Sequence, residues 1–373
     1  MDFTLDTETN ILKTNAEKYL REKCPPATVK QMLAEEPGFS PKIWKEIAEL
    51  GWLGLVYPMK YGGSEGRFLD LYTLFIEIGR AVMPSPFFAS AVLSGFTVNE
   101  AEDEKAKDEL LPGIISGEKI CTLALIDERG RYDVEEPRLE AKSQRDGTYR
   151  LSGTRLLVDY AHVADEILVC ANVKGAGPTL FRIRKDAKGK SLTPLDTLTK
   201  ERTFAVAFDD VALKPEDVVG TMGKGHTYIR GALPRAIVLK CGEMLGGLER
   251  VVEMTVQYMK ERKQFGKALG TLQAVQHHCA DMQTHLMGTR LIVGQAASLL
   301  SDGRPCDKEV AMAKAWASDA YKACTWTAHQ LHGGIGFTQE HDLHLYYKHA
   351  KACELAFGSS AYHRRALADR MGI

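Results

Sequence analysis

The longest regular pattern of apolar residues runs from position 226 to position 262. Apolar side chains recur there at spacings of three and four, which is typical of a helix that buries one face. The residues on that face are Ile237, Cys241, Met244, Leu245, Leu248, Val251, Val252 and Met259. Similar patterns predict helices over 270–301, 307–332, 340–356 and 359–371. Because long helices with short connections pack side by side, this region is predicted to form an antiparallel bundle.

Two regions of different pattern precede the bundle. Glycine and proline loops separate five predicted helices, at 7–23, 41–50, 68–80, 87–98 and 104–111. From 120 to about 213 the apolar period becomes two, which predicts strands in a compact antiparallel β-domain or barrel. The chain is therefore predicted to be an α+β protein with an all-helical domain at 1–117, a middle β-domain at 118–217 and a C-terminal helical bundle at 218–373.

Composition and charge narrow the classes of function. Of the 373 residues, 45% are apolar and 26% are charged, as in a globular protein, and the net charge is −1. This balance predicts no nucleic-acid or membrane-surface partner. The acidic N-terminus lacks the apolar core of a signal peptide, and no apolar run is long enough to span a membrane, so the cytoplasm is the expected location.

Cysteine and histidine spacing gives no sign of a metal site. The eight cysteines are scattered without a Cys-x-x-Cys pair, which predicts buried reduced thiols rather than disulfides or bound zinc. His341 and His344 could share one helix face, but no acidic or cysteine ligand accompanies them at a suitable spacing. No bound metal is therefore expected.

A short basic segment, Tyr-Met-Lys-Glu-Arg-Lys-Gln-Phe-Gly at 258–266, follows the long helix. Gly266 is predicted to end that helix, and Arg262 and Lys263 bring two positive charges beside it. Two cations next to amide side chains suit a diphosphate group. The alternative is a solvated basic helix end that only complements the helix dipole.

A glycine-rich segment, His-Gln-Leu-His-Gly-Gly-Ile-Gly-Phe-Thr, occupies positions 329–338 at the end of another predicted helix. Glycines let a backbone approach a flat or phosphorylated ligand closely. A Rossmann dinucleotide site is excluded, because its glycine fingerprint follows a strand whereas this segment follows a helix.

Together these two segments resemble those of the acyl-CoA dehydrogenase family, where they bind FAD, partly across a subunit interface. The resemblance covers nearly the whole chain, in the family's order. It includes Gly51-Trp-Leu-Gly-Leu55, Pro58-Met-Lys-Tyr-Gly-Gly63, Glu77-Ile-Gly-Arg-Ala81 and Leu111-Pro-Gly-Ile-Ile-Ser-Gly117. It implies α,β-dehydrogenation of an acyl-CoA thioester, with hydride transfer to FAD and an electron-transfer protein as the electron acceptor.

The resemblance also implies which residues surround FAD. From the helical bundle these are Arg262, Lys263, Gln264, Phe265, Gln273, Gln330, His332, Gly333 and Gly334. From the β-domain they are Leu125, Asp127, Leu157 and Asp159, where Leu157 takes the place of a tryptophan that commonly packs against the flavin.

The family's catalytic base is missing from both of its usual positions. A carboxylate must remove the α-proton of the thioester, and it works best in a water-poor pocket that raises its pKa. The commonest position for this carboxylate corresponds to Phe357, and the second, 26 residues before Arg262, corresponds to Ala236. Glu243 lies two helical turns beyond Ala236 on the same face and is the fallback candidate, although two turns span roughly 10 Å.

This departure resembles a subgroup in which two unlike chains form an α2β2 tetramer and only one chain carries the base. Segments 336–345 and 361–364 are similar to those of the smaller chain in such pairs. The expected partner is therefore a second acyl-CoA dehydrogenase chain. Two alternatives stay open: a self-sufficient enzyme, such as a homotetramer, that uses Glu243, and a non-catalytic scaffold that binds FAD or acyl-CoA.

Overall fold

The computed structural model describes residues 6–132 and 134–373. The first five residues of the acidic N-terminal stretch thus lie outside the described part. Within the described residues no helix combines the length and the apolar character needed to cross a bilayer. All eight cysteines are free thiols, and seven of them are buried.

Helices form both ends of the chain, and strands form its middle. The first helices are α1 (Thr7–Lys23), α2 (Pro26–Ala34), α3 (Pro41–Glu49), α4 (Phe68–Ala81), α5 (Gly95–Glu100) and α6 (Glu104–Ile115). The last are α7 (Gly225–Glu261), α8 (Gln273–Ser301), α9 (Asp307–His332), α10 (Leu343–Leu355) and α11 (Ser360–Met371). The predicted α+β architecture, with its α, β, α order, is confirmed, whereas the predicted domain boundaries at 117 and 217 stay predictions.

Local capping explains why the helices begin where they do. The Asp6 carboxylate accepts a hydrogen bond from the Thr9 amide at 2.9 Å, which caps α1. Ser40 accepts from the Ile43 amide in the same way, and Pro41 occupies the first position of α3, where its missing N–H costs nothing.

The helices of the structure differ from the predicted ones at three places. α2 was not predicted, and the helix expected over 87–98 has π-helical turns at Phe88–Ser94 before α5. The Ser94 hydroxyl donates to the Ala89 carbonyl at 2.8 Å within these wider turns. Gly266 does not end a helix, because α7 ends at Glu261 and Gly266 lies in the turn of a small hairpin.

Within the described residues, seven strands form the middle sheet. They are β1 (Cys121–Ala124), β2 (Glu140–Ser143), β3 (Tyr149–Asp159), β4 (Glu166–Val173), β5 (Gly177–Arg184), β6 (Lys190–Leu195) and β7 (Thr203–Leu213). The order is β1-β4-β2-β3-β7-β6, with β5 also paired to β4. Four pairings are antiparallel, as predicted, but β1–β4 and β2–β4 are parallel.

The described residues divide into two compact units. One comprises the residues up to 31, then 67–83 and 237–373; the other comprises 32–66 and 84–236. In the first unit α4 packs closely on α7, since a Cβ on Gly79 would collide with the Glu243 backbone and one on Gly246 with the Ile76 carbonyl. The second unit has its core in the sheet, where side chains such as Leu151, Phe181 and Val206 are fully buried. Each such side chain contributes roughly 1.5–3 kcal/mol through burial.

Candidate functional site

The basic segment forms an exposed hairpin directly after α7. Two short strands, β8 (Lys263–Gln264) and β9 (Lys267–Ala268), pair around Phe265 and Gly266, whose φ values are 55° and 77°. The Phe265 side chain is 86% exposed. Among the residues that the structure describes, no carboxylate lies in ion-pair range of Arg262 or Lys263. Both cations are therefore available to an anionic ligand.

The glycine-rich segment leaves its backbone open. α9 ends at His332, Gly333 has a φ of 65°, and a short 3₁₀ helix runs from Gly333 to Phe337. A Cβ built on Gly333 or on Gly334 would meet no heavy atom within 4 Å. Since nothing packs against these two residues from within the described chain, a ligand could approach their peptide groups.

His332 connects the two segments. Its ring stacks on that of Tyr258, with centroids 4.5 Å apart and an interplanar angle of 17°. The Nδ1–H donates to the Ala328 carbonyl at 2.8 Å, and burial lowers the pKa of the imidazole, which stays neutral. Nε2 is buried and has no hydrogen-bond partner in the described structure, so it could accept a hydrogen bond from a ligand.

The three predicted glutamines are exposed, two at helix ends and one on the hairpin. Gln273 is the first residue of α8, and Gln330 lies in the last turn of α9. Gln264 is exposed on the hairpin. None of these three side chains is buried in the core, which leaves them able to contact a ligand.

The predicted residues of the β-domain differ in their surroundings. Leu125 is buried, whereas Leu157 is 49% exposed and has a φ of 52°. The exposed Asp159 accepts a hydrogen bond from the Thr203 hydroxyl at 2.8 Å. This exposure leaves Leu157 and Asp159 accessible to a ligand.

The Asp127 side chain accepts hydrogen bonds from residues of its own loop. It is buried and accepts hydrogen bonds from the Arg129 and Arg131 amides, both at 2.9 Å, and from the Arg131 guanidinium. Burial by itself raises the pKa of this carboxyl, but the hydrogen bonds from Arg131 and Arg129 lower it overall. Asp127 therefore shapes the loop after β1 as an ionised residue.

Apolar side chains occupy the two positions that the sequence analysis predicted for the base. Phe357 is half-buried in the turn between α10 and α11, with a φ of 57°. Ala236 is fully buried on α7. Neither side chain can accept a proton.

The fallback candidate, Glu243, is buried in an ionic network. Lys240 is in ion-pair contact with it, and His349 Nε2 lies 3.8 Å from Glu243 Oε1. Burial raises the pKa of this carboxyl, but the Lys240 and His349 charges outweigh it and lower the pKa to about 2. Burial likewise opposes the charge on His349, but Cys353 and Glu243 raise its pKa to about 10. These contacts hold Glu243 ionised as a structural partner and argue against its use as a base.

The sequence analysis did not predict two buried polar residues of the helical bundle, one on α9 and one on α10. Lys314 lies on the apolar face of α9 and is fully buried, and His349 lies on the buried face of α10. For Lys314 the sequence offers only a weak signal, a single lysine within the alanine-rich stretch at 311–317. No group of three or more His, Cys, Asp or Glu in the described residues could hold a metal ion.

Comparisons with known proteins match both helical regions. The family model for the acyl-CoA dehydrogenase N-terminal domain matches residues 6–118, and that for the acyl-CoA dehydrogenase C-terminal domain matches residues 223–372. The acryloyl-CoA reductase (NADH) of Anaerotignum propionicum is 28% identical over 377 residues, which cover 99% of this chain and 95% of that protein.

Solved structures match the whole chain. A chain of the ChsE4–ChsE5 complex from Mycobacterium tuberculosis is 26% identical, with a TM-score of 0.90, and the match covers 100% of this chain and 99% of that one. A chain of the Tcur3481–Tcur3483 steroid ACAD is 29% identical, with a TM-score of 0.88, and 99% of each chain is covered.

Proposed function

Because the chain belongs to the acyl-CoA dehydrogenase family, whose members are FAD-dependent oxidoreductases acting on CH–CH bonds, we propose that it is the base-lacking subunit of a heteromeric acyl-CoA dehydrogenase. The observation that carries this proposal is the pair of apolar residues, Phe357 and Ala236, at the family's two base positions. Two similar chains come from structures named for two proteins, which supports a paired assembly. In such an assembly the second chain supplies the carboxylate.

The residues of the hairpin and the glycine loop fit FAD. Arg262 and Lys263 carry charge without an ion-pair partner in the described structure, and Gly333 and Gly334 leave room for a ligand. These four residues would contact the diphosphate of FAD and the atoms next to it. The further residues proposed to contact FAD are Gln264, Phe265, Gln273, Gln330, His332, Leu125, Asp127, Leu157 and Asp159. When bound, FAD accepts the hydride that leaves the acyl β-carbon.

Arg262→Ala is expected to weaken FAD binding. A guanidinium facing a diphosphate makes charge-assisted hydrogen bonds worth roughly 1.5–3 kcal/mol each, so the dissociation constant should rise about ten- to a hundredfold. Flavin titration of the apoprotein measures this change. The control is Lys260→Ala, which removes an exposed positive charge two residues earlier, on α7. Equal flavin affinity in Arg262→Ala and in the wild type would count against this site.

Phe357→Glu is expected to give at most a trace of activity in the isolated chain. The new carboxylate would enter a half-buried turn that has no matched environment for it, and burying a charge there costs several kcal/mol, roughly, unless the carboxyl stays protonated. Anaerobic flavin reduction by acyl-CoA measures the result, and Phe357→Gln is the matched control without a proton acceptor. Rapid reduction by Phe357→Glu alone would show that a carboxylate at position 357 is sufficient.

The test of the proposed function is partner dependence. Flavin reduction by a panel of acyl-CoA thioesters, including one with a steroid side chain, is followed first with this chain alone and then with a second acyl-CoA dehydrogenase chain from the same organism. Reduction only in the pair supports the proposal. Reduction by this chain alone would favour the self-sufficient enzyme, and no reduction in either sample would favour the scaffold.

A further inference from the structure

A fully buried lysine reaches the turn that carries Phe357. Lys314 lies on α9, and its Nζ donates to the Gly358 carbonyl at 3.0 Å, to the Glu354 carbonyl at 3.1 Å and to the Ser318 hydroxyl at 3.0 Å. An ammonium group has three N–H donors, and each of them has an acceptor here. The lysine thus bridges the middle of α9 and the end of α10.

A second buried donor holds the neighbouring peptide group. His363, on α11, donates from Nε2 to the Phe357 carbonyl at 2.8 Å. Burial lowers the pKa of this imidazole to about 4, so it is neutral and can donate from only one nitrogen. Two consecutive carbonyls, those of Phe357 and Gly358, are therefore held by side chains from two different helices.

The turn needs such anchors because its backbone is strained. Phe357 has a φ of 57° and Gly358 a φ of 98°, and a residue other than glycine seldom adopts the left-handed region. A Cβ at Gly358 would also lie 2.5 Å from the Tyr362 ring, so this position requires glycine. A strained conformation of this kind persists only where surrounding contacts determine it.

A lysine is suited to this position for a chemical reason. The Glu354 carbonyl lies in the last turn of α10, where carbonyl groups lack helical partners and the helix dipole attracts positive charge. An apolar residue of similar size would fill the space but would leave the Glu354 and Gly358 carbonyls without this donor.

We infer that Lys314 is a positioning residue. It fixes the conformation of the turn at Phe357–Gly358, and so it determines the shape of the acyl site where this turn borders it. The first part concerns the turn alone. The second part rests on the proposed function, which puts residue 357 beside the acyl group. The two parts have separate measurements.

The test compares Lys314→Met with Lys322→Met in the flavin-loaded protein. Lys322 is also on α9, but it is 43% exposed and pairs with two side chains, those of Glu354, at 2.6 Å, and Asp319, at 3.7 Å. Hydrogen exchange of the amides of Ala356 and Gly358, which donate to the Ala352 and Leu355 carbonyls, reports on the turn. Lys314→Met should speed this exchange about tenfold or more, because a charge-assisted hydrogen bond is lost. Lys322→Met should leave it unchanged.

The acyl site is probed by the increase in melting temperature that butyryl-CoA and palmitoyl-CoA produce. Lys314→Met should reduce this increase while flavin content stays at the wild-type level. If Lys314→Met speeds hydrogen exchange in the turn but leaves the ligand-induced increase in melting temperature undiminished, residue 357 does not border the acyl site. The absence of any increase in the wild type would count against the proposed function and not against the anchoring of the turn.

Unchanged exchange at Ala356 and Gly358 would overturn the inference. Faster exchange spread evenly over α7, α9 and α10 would also overturn it, because that is the result of general destabilisation. If Lys314→Met does not fold, His363→Leu removes the other donor to the turn, and His363→Gln is its rescue variant, because an amide N–H can still donate. Faster exchange in His363→Leu than in His363→Gln supports anchoring of the turn by buried donors, and equal exchange overturns it.

Discussion

Acyl-CoA thioesters will leave the visible absorbance of the flavin in the isolated chain unchanged under anaerobic conditions, and a second chain that carries the carboxylate will restore bleaching. Removal of the weakly acidic α-proton needs a positioned base, and general base catalysis contributes roughly 10²–10⁴-fold to rate. Phe357 and Ala236 supply none, and Glu243 is already paired with Lys240 and His349. The pair is therefore expected to reduce its flavin at least a hundredfold faster, roughly, than this chain alone.

A variant of the partner chain provides the control for this result. Replacement of the partner's catalytic carboxylate by its amide should return the pair to the slow rate of the isolated chain, while flavin content and complex formation stay the same. A pair that still bleaches after this change would show that the base comes from elsewhere. Rapid bleaching of the isolated wild-type chain would remove the reason for proposing a partner.

Much of the helical architecture could be predicted because local rules decide it. The predicted limits of α1 and α9 agree with the structure at both ends, since Asp6 caps α1 and Gly333 follows α9. α2 was not predicted because Cys24 and Pro25 precede it, with no Ser, Thr, Asp or Asn to signal a helix start, whereas Ser40 signals the start of the equally short α3. The parallel pairings of β4 with β1 and β2 could not be predicted, because strand pairing depends on contacts far apart in the sequence.

The candidate site also has parts that the sequence could predict and parts that it could not. Arg262 and the glycines after His332 stand in short segments whose residue types suggest a diphosphate, so the sequence alone could point to them. The contacts of Lys314 with Gly358 and of His349 with Glu243 join residues 44 and 106 positions apart. Neither pair has a local pattern, which is why the support of the turn and the pairing of Glu243 became visible only in the fold.

Glu243→Gln is expected to destabilise the protein strongly. At a pH where Glu243 and His349 are both charged in the wild type, the free energy of unfolding should fall by about 3–5 kcal/mol. The substitution removes the carboxylate that pairs with the buried His349 and with the partly exposed Lys240. Tyr321 and Cys353 also contact His349, at 3.3 Å each, but neither is a carboxylate. The expected loss is therefore larger than that for an exposed ion pair.

The loss should depend on pH in a defined direction. His349 has a folded-state pKa of about 10, above the ordinary 6.5, so its stabilising contribution is complete below pH 6.5 and disappears as the pH rises toward 10. Glu243 has a folded-state pKa of about 2, below the ordinary 4.5, so its contribution is complete above pH 4.5 and disappears as the pH falls toward 2. The difference in stability between wild type and Glu243→Gln should be largest between pH 4.5 and 6.5.

Melting temperatures of wild type and Glu243→Gln across this pH range measure the effect. Glu261→Gln is the control on the same helix, because Glu261 is exposed, contacts the exposed Gln257 side chain, and surface substitutions of this kind usually change stability by about 0.5 kcal/mol or less. Its effect should therefore be small at every pH. If Glu243 were the catalytic base, Glu243→Gln would also abolish flavin reduction, whatever its effect on the melting temperature. A large fall in melting temperature that narrows toward pH 10 would identify the carboxylate as the buried partner of His349 and Lys240.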